Sequence, residues 1–136
     1  MIEDISMHFN KTIPELYVFD INNSKNFYVN ILGAKIEYER KEDKFIFLSL
    51  EENQLMLEEI SDEGWNVGDL DYPLGRGINI SLEVKDIDLI YQKVKLYDIP
   101  LYRDMMINHY GGINEMIEQK EFLLQDPNGY LLRFTD

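Results

Sequence analysis

Glu121-Phe-Leu-Leu-Gln-Asp-Pro-Asn-Gly-Tyr-Leu-Leu-Arg-Phe134 reads as strand, tight turn, strand. Pro127 presets its own φ, and Asn128 and Gly129 tolerate positive φ, so Asp126–Gly129 is a turn for a stated reason. The flanks alternate. Phe122 and Leu124 share one face before the turn, and Tyr130, Leu132 and Phe134 share one face after it. The opposite face carries Glu121, Leu123, Gln125, Leu131 and Arg133. A largely polar row on an apolar hairpin is what the lining of a binding cup requires.

Outward from this hairpin, the chain spells strand, helix and three strands twice. The first round predicts a strand over Thr12–Phe19, a helix over about Asn22–Leu32, and strands over Lys35–Arg40, Lys44–Leu50 and Gln54–Ile60. Asp20, Asn22 or Asn23 suits the helix start and Gly33 its stop. The second round predicts a strand over Gly77–Val84, a helix over about Ile87–Tyr97 capped by Asp86, and strands near Pro100–Met105, Lys120–Gln125 and Tyr130–Thr135. Ser61–Arg76, with Gly64, Gly68, Pro73 and Gly75, reads as a linker, and Ile107–Glu118 as a longer loop. The expected organisation is one domain: module one over about 10–60, the linker 61–76, and module two over about 77–136. Asp20-Ile21 recurs as Asp86-Ile87 in matching places, which supports an internal repeat.

Side chains switch faces at each strand residue, so the faces can be sorted. Leu16 and Val18 meet the first helix, leaving Ile13, Glu15 and Tyr17 opposite. Ile80, Leu82 and Val84 meet the second, leaving Asn79, Ser81 and Glu83. Phe45, Phe47 and Ser49 oppose Ile46, Leu48 and Leu50, while Met56 and Glu58 face away from Leu55 and Leu57. Each half therefore has one greasy face and one mixed face. The expected fold is α+β: two tandem βαβββ modules forming a curled mixed sheet around a concave cup, with helices on the outside.

Composition narrows the chemistry. Apolar residues make up 45% of the 136-residue chain, enough for a core of its own. The chain has no cysteine, which removes disulfides, thiolate ligands and a thiol nucleophile. Thirteen basic residues against 26 acidic ones leave a net charge of −13, which repels phosphate backbones and attracts cations. Nucleic acid is not an expected partner. No apolar run approaches the roughly 20 residues of a membrane span, and the acidic start Met1–Ser6 lacks the pattern of a signal peptide. A cytoplasmic protein with no membrane partner is expected.

The strand-to-helix segment Asp20–Gly33, with its Phe27-Tyr28 and Leu32-Gly33, and the Asp126–Gly129 turn resemble the vicinal oxygen chelate superfamily, which includes glyoxalase I, extradiol dioxygenases and bleomycin-resistance proteins. Pro14–Val18, Gln54–Glu58, Gly75–Asn79 and Glu121–Phe134 resemble the bleomycin-resistance branch more closely. The superfamily's enzymes hold a divalent metal with four side chains, and the resemblance carries those positions onto Ile13, Glu58, Asn79 and Arg133. An enzyme would offer His or Gln, Glu, His and Glu. Ile13 cannot bind metal, Asn79 is a weak neutral ligand, and Arg133 is a permanent cation without a lone pair. One carboxylate does not hold a catalytic ion. No metal, no cofactor and no catalytic residue are therefore expected. Arg133 is expected to face Glu58 in the cup, within the chain or across a dimer.

The resemblance implies non-catalytic sequestration of a small, cationic, aromatic antibiotic of the bleomycin type by a homodimer. The alternatives are a metal-dependent enzyme of the glyoxalase or dioxygenase kind, using Glu58, Glu121 or His109 at a displaced site, and a metabolite-binding domain of the same fold. The expected ligand-binding residues are Phe45, Phe47, Glu58, Trp65, Asn79, Tyr110, Glu121 and Arg133. Trp65, the sole tryptophan, either packs under the linker or offers a flat wall for stacking. Glu15 and Glu83 are further groups suited to a cation. His8 and His109 fall outside the inner strands, and the chain lacks both a P-loop and a Gly-x-Ser-x-Gly elbow.

Overall fold

A computed structural model describes residues 8–112 and 117–136. The first half contains β1 (Glu15–Val18), helix α1 (Ile21–Lys25) continuing as a π-helical turn (Asn26–Ile31), β2 (Lys35–Arg40), β3 (Phe45–Leu50) and β4 (Asn53–Glu59). The second contains β5 (Asn79–Glu83), α2 (Ile87–Leu96), β6 (Leu101–Tyr110), β7 (Ile117–Gln125) and β8 (Leu131–Thr135). Both halves are βαβββ units, and the fold is α+β. The sheet orders are β1-β4-β3-β2 and β5-β8-β7-β6, with the first-listed pair parallel in each and the rest antiparallel.

Local chemistry starts both helices. The Asp20 carboxylate accepts from the backbone N–H groups of Asn22 and Asn23, and that of Asp86 accepts from Leu89. The buried residues of both helices join Leu16, Val18, Ile46, Leu48, Leu55 and Leu57 from one sheet and Leu82, Val84, Phe122, Leu124, Leu132 and Phe134 from the other. Both greasy faces thus share one core. Phe122 stacks on Phe134 at 5.2 Å between ring centroids and meets the edge of Tyr91 at 5.3 Å.

The expected tandem βαβββ modules are present, each contributing a four-stranded mixed sheet, and the two sheets do not close on one another within the chain. The shared core draws the greasy faces together, so the mixed faces are left without each other. The 107–118 loop is in large part a ladder: Ile107 pairs with Lys120, His109 with Glu118 and Tyr110 with Ile117. The middle of that segment, 113–116, lies outside the described residues. Sequence alternation missed this extension because Ile107, Tyr110 and Ile117 are all more than half exposed and follow no core-facing pattern. Strand β1 is shorter than expected, covering only Glu15–Val18.

The turn of the Asp126–Gly129 motif fastens the halves. Asp126 is 3% exposed and Asn128 is 1% exposed. The Tyr28 hydroxyl donates to Asp126 Oδ2 at 2.7 Å, and Asn128 Nδ2 donates to Ser24 Oγ at 3.1 Å. The Phe19 N–H donates to Asn128 Oδ1 at 2.9 Å, and the Tyr130 hydroxyl to the Tyr17 carbonyl at 2.8 Å. Burial pushes the Tyr130 hydroxyl up to about 12, so it remains a donor throughout the ordinary pH range.

Candidate ligand-binding site

The mixed face of the first sheet carries a cavity of about 670 Å³ lined entirely by residues between Glu15 and Trp65. That is a small-molecule size. Strand β1 contributes Glu15 and Tyr17, β4 contributes Met56, Glu58 and Glu59, β3 contributes Phe45, and β2 contributes Arg40. Parallel pairing places Glu15 beside Met56 and Tyr17 beside Glu58, so all four point to one face. Trp65 lines the cavity and is 90% exposed, so it does not pack under the linker. Its backbone N–H donates to the Tyr17 hydroxyl at 2.7 Å, which hangs the linker on β1.

The electrostatics favour a cation. The lining holds Glu15, Glu42, Asp43, Glu58, Glu59 and Glu63 against Arg40 and Lys44. Arg40 is already paired with Asp43 at 3.0 Å and Lys44 with Glu59 at 2.9 Å. The Arg40 guanidinium also lies 4.2 Å from the Phe45 ring centroid. Among the described residues no Lys or Arg forms an ion pair with Glu15, Glu58 or Glu63. Burial, and next the carboxylate of Glu15, push the Glu58 carboxyl above its ordinary range, with Arg40 pulling the other way. The folded chain therefore holds the Glu58 proton more firmly than the unfolded chain does. The stability this contributes is present below the ordinary carboxylate range and is lost as pH rises through the folded value. Glu15→Gln is expected to lower the Glu58 titration midpoint, followed by carboxyl carbon NMR. An unmoved midpoint would show that burial acts alone.

The expected site residues divide between the two sheets. Phe45, Glu58 and Trp65 line the cavity. Phe47 lies on the same face of β3, yet it is 3% exposed because the ring of Phe9 stacks over it at 5.2 Å. Asn79, Tyr110, Glu121 and Arg133 belong to the second sheet, where Asn79 and Tyr110 are exposed. The expected Glu58–Arg133 pair does not form within the chain. Arg133 Nη1 lies 3.7 Å from Glu121 Oε2, and Arg133 Nε is buried without a partner among the described residues. The mixed faces sit on separate sheets, so the two side chains have no common cup in one chain.

Strand register also revises the spacing between the halves. Aligning Asp20 with Asp86 matches Tyr17 to Glu83 and Glu15 to Ser81. Tyr17 stands opposite Glu58, but Glu83 stands opposite Thr135; Arg133 stands opposite Ser81, as Met56 stands opposite Glu15. Met56, and not Glu58, is thus the counterpart of Arg133. The β7–β8 connection, 126–130, is longer than the β3–β4 connection, 51–52, so no single offset relates the two hairpins. A divalent ion does not fit this set: a hydrocarbon, a thioether or single carboxylate, a neutral amide and a guanidinium offer too few hard donors. Among the described residues, no three His, Asp or Glu side chains converge as ligands. Glu15, Tyr17 and Arg40 are lining residues absent from the expected set. Alternation had placed Glu15 and Tyr17 on this face; the signal for Arg40 was its pairing with Phe45 across β2 and β3.

Comparison with known proteins gives the same class. A glyoxalase/bleomycin resistance protein/dioxygenase from Alicyclobacillus acidocaldarius is 30% identical, covering 93% of this chain and 89% of that one, with a TM-score of 0.61. A glyoxalase/bleomycin resistance protein/dioxygenase superfamily member from Vibrio splendidus 12B01 is 38% identical over 89% of this chain and 93% of that one, with a TM-score of 0.41. TioX from Micromonospora sp. ML1 shares the fold at 15% identity, covering 93% and 98% of the two chains, with a TM-score of 0.72. No protein-family model and no curated protein matches the chain. By the Alicyclobacillus acidocaldarius relative, the chain belongs to the glyoxalase/bleomycin resistance protein/dioxygenase superfamily.

Proposed function

We propose that this protein binds and sequesters a small cationic aromatic molecule of the bleomycin type, without turning it over, as a cytoplasmic homodimer. The observation that carries the reading is the cavity itself, where carboxylates lacking cation partners (Glu15, Glu58, Glu63) adjoin the rings of Tyr17, Phe45 and Trp65. A flat cation satisfies both features at once, through stacking and through charge. Sequestration is stoichiometric and asks for tight binding alone. The second sheet supplies the complement. Asn79, Tyr110, Glu121 and Arg133 present a mixed face that, from a second copy, would roof the cavity and bring Arg133 towards Glu58.

Titration calorimetry with bleomycin, together with Trp65 fluorescence, tests the ligand. Heat and a changed Trp65 emission are expected at micromolar protein. No response there rejects this ligand class. Trp65→Ala is expected to weaken binding by about tenfold through lost stacking. Sedimentation of the wild type beside Arg133→Glu tests the dimer, and two monomeric profiles would refute it.

A further inference from the structure

Phe9 lies almost flat on Phe47, with 5.2 Å between ring centroids and 13° between planes. The contact leaves Phe47 3% exposed, while Phe9 itself is 55% exposed. Phe47 sits opposite Met56 in the ladder, two residues from Phe45 on the same face, and both Met56 and Phe45 line the cavity. The aromatic row that begins in the cavity with Phe45 therefore continues to Phe47 beneath Phe9, outside the cavity lining.

The strap that carries Phe9 is lightly held. The Asn10 N–H donates to Gln54 Oε1 at 2.7 Å, Gln54 Nε2 donates to the His8 carbonyl at 2.5 Å, and Asn10 Nδ2 donates to the Glu52 carbonyl at 2.8 Å. The last two bonds are exposed, where water competes for each partner at little cost. A half-exposed ring whose strap is held, among the described residues, by three peripheral bonds is a removable cover.

We propose that Phe47 is a ring-stacking subsite of the cavity and that Phe9 is its internal occupant, displaced when a planar aromatic ligand binds. The inference rests on reading the cavity as a small-molecule receptor, and adds the seat for the ligand's ring. Offset stacking at this separation suits any flat ring, so the occupant is defined by planarity, and the neighbouring carboxylates favour one that carries positive charge. The closed strap lowers apparent affinity by the fraction of molecules in which the seat is free.

The experiment is titration calorimetry of proflavine, a planar aromatic cation, into wild type, Phe9→Ala and Asn10→Ala. Phe9→Ala is expected to bind between about twofold and about tenfold more tightly than wild type, the range that corresponds to one aromatic pair. Asn10→Ala keeps the ring but loses one tethering bond, that of its Nδ2 to the Glu52 carbonyl, and is expected to fall between them. Equal or weaker binding by Phe9→Ala, with wild type still binding, would overturn the displacement proposal and leave the receptor reading standing. Absence of binding by all three chains would overturn both.

Discussion

Asp126→Ala lowers the free energy of unfolding by about 3–5 kcal/mol, read from the midpoint of a urea transition. The carboxylate satisfies four donors: Tyr28 Oη at 2.7 Å, the Asn128 N–H at 2.8 Å, the Tyr130 N–H at 2.9 Å and Asn128 Nδ2 at 3.0 Å. Alanine strands three of them in a buried site, while Asn128 Nδ2 keeps its bond to Ser24 Oγ. Each costs about 1–3 kcal/mol when left without a partner, and entering water recovers part of the sum. Tyr28→Phe removes only one of these donors and is expected to cost about 1 kcal/mol. A loss below about 1 kcal/mol for Asp126→Ala would show that the halves are held by apolar contact alone.

This residue also sets a pH dependence. Burial raises the Asp126 carboxyl above its ordinary range, although its hydrogen bonds pull the other way. A raised folded value means that the native state keeps the proton more firmly than the unfolded chain. The resulting stabilisation is complete below the ordinary carboxylate range and disappears as pH rises through the folded value. The stability difference between wild type and Asp126→Asn should therefore widen on mild acidification.

Gly129→Ala is expected to cost about 2–4 kcal/mol, from two separable sources. Gly129 has φ +88°, a conformation that costs an L side chain about 1–2 kcal/mol. An added Cβ would also stand 2.5 Å from Pro73 Cβ and 2.6 Å from Pro73 Cα, too close for either to remain in place. Pro73 cannot retreat freely, because the linker beside it is bonded to the same turn: the Leu74 N–H donates to the Asn128 carbonyl at 2.9 Å and the Gly75 N–H to the Gly129 carbonyl at 3.2 Å. Gly77→Ala is the control. Gly77 has φ +86°, and an added Cβ there meets nothing within 4 Å, so its cost isolates the backbone term. Equal thermal shifts for the two variants would remove the Pro73 contact from the account.

Much of the fold was legible because its signals are local. Alternation at a period of two named Phe122, Leu124, Leu132 and Phe134 as core, and each is fully buried. The limits of β2 and the Asp86 cap followed from side-chain chemistry within a few residues, while the first cap, left among Asp20, Asn22 and Asn23, falls on Asp20. The cavity was legible in part. Face sorting placed Glu15, Tyr17, Phe45 and Glu58 together, since residues on one pleated face stay neighbours in whatever partner the sheet finds. Phe9 gave no such signal: it lies outside the strands and meets Phe47 only after the chain has folded back over its own sheet.

Patterning, capping and turn chemistry in the chain alone settle what each segment becomes and which side chains share a face. They depend on steric rules acting over a few residues. Where those faces go was left to packing. The shared core turns the two mixed faces away from one another, ties Arg133 to Glu121 in place of Glu58, and lays Phe9 over Phe47. Those outcomes turn on strand register and on how two sheets press against common helices, quantities that shift with the length of a single turn and that leave no periodic mark in the sequence.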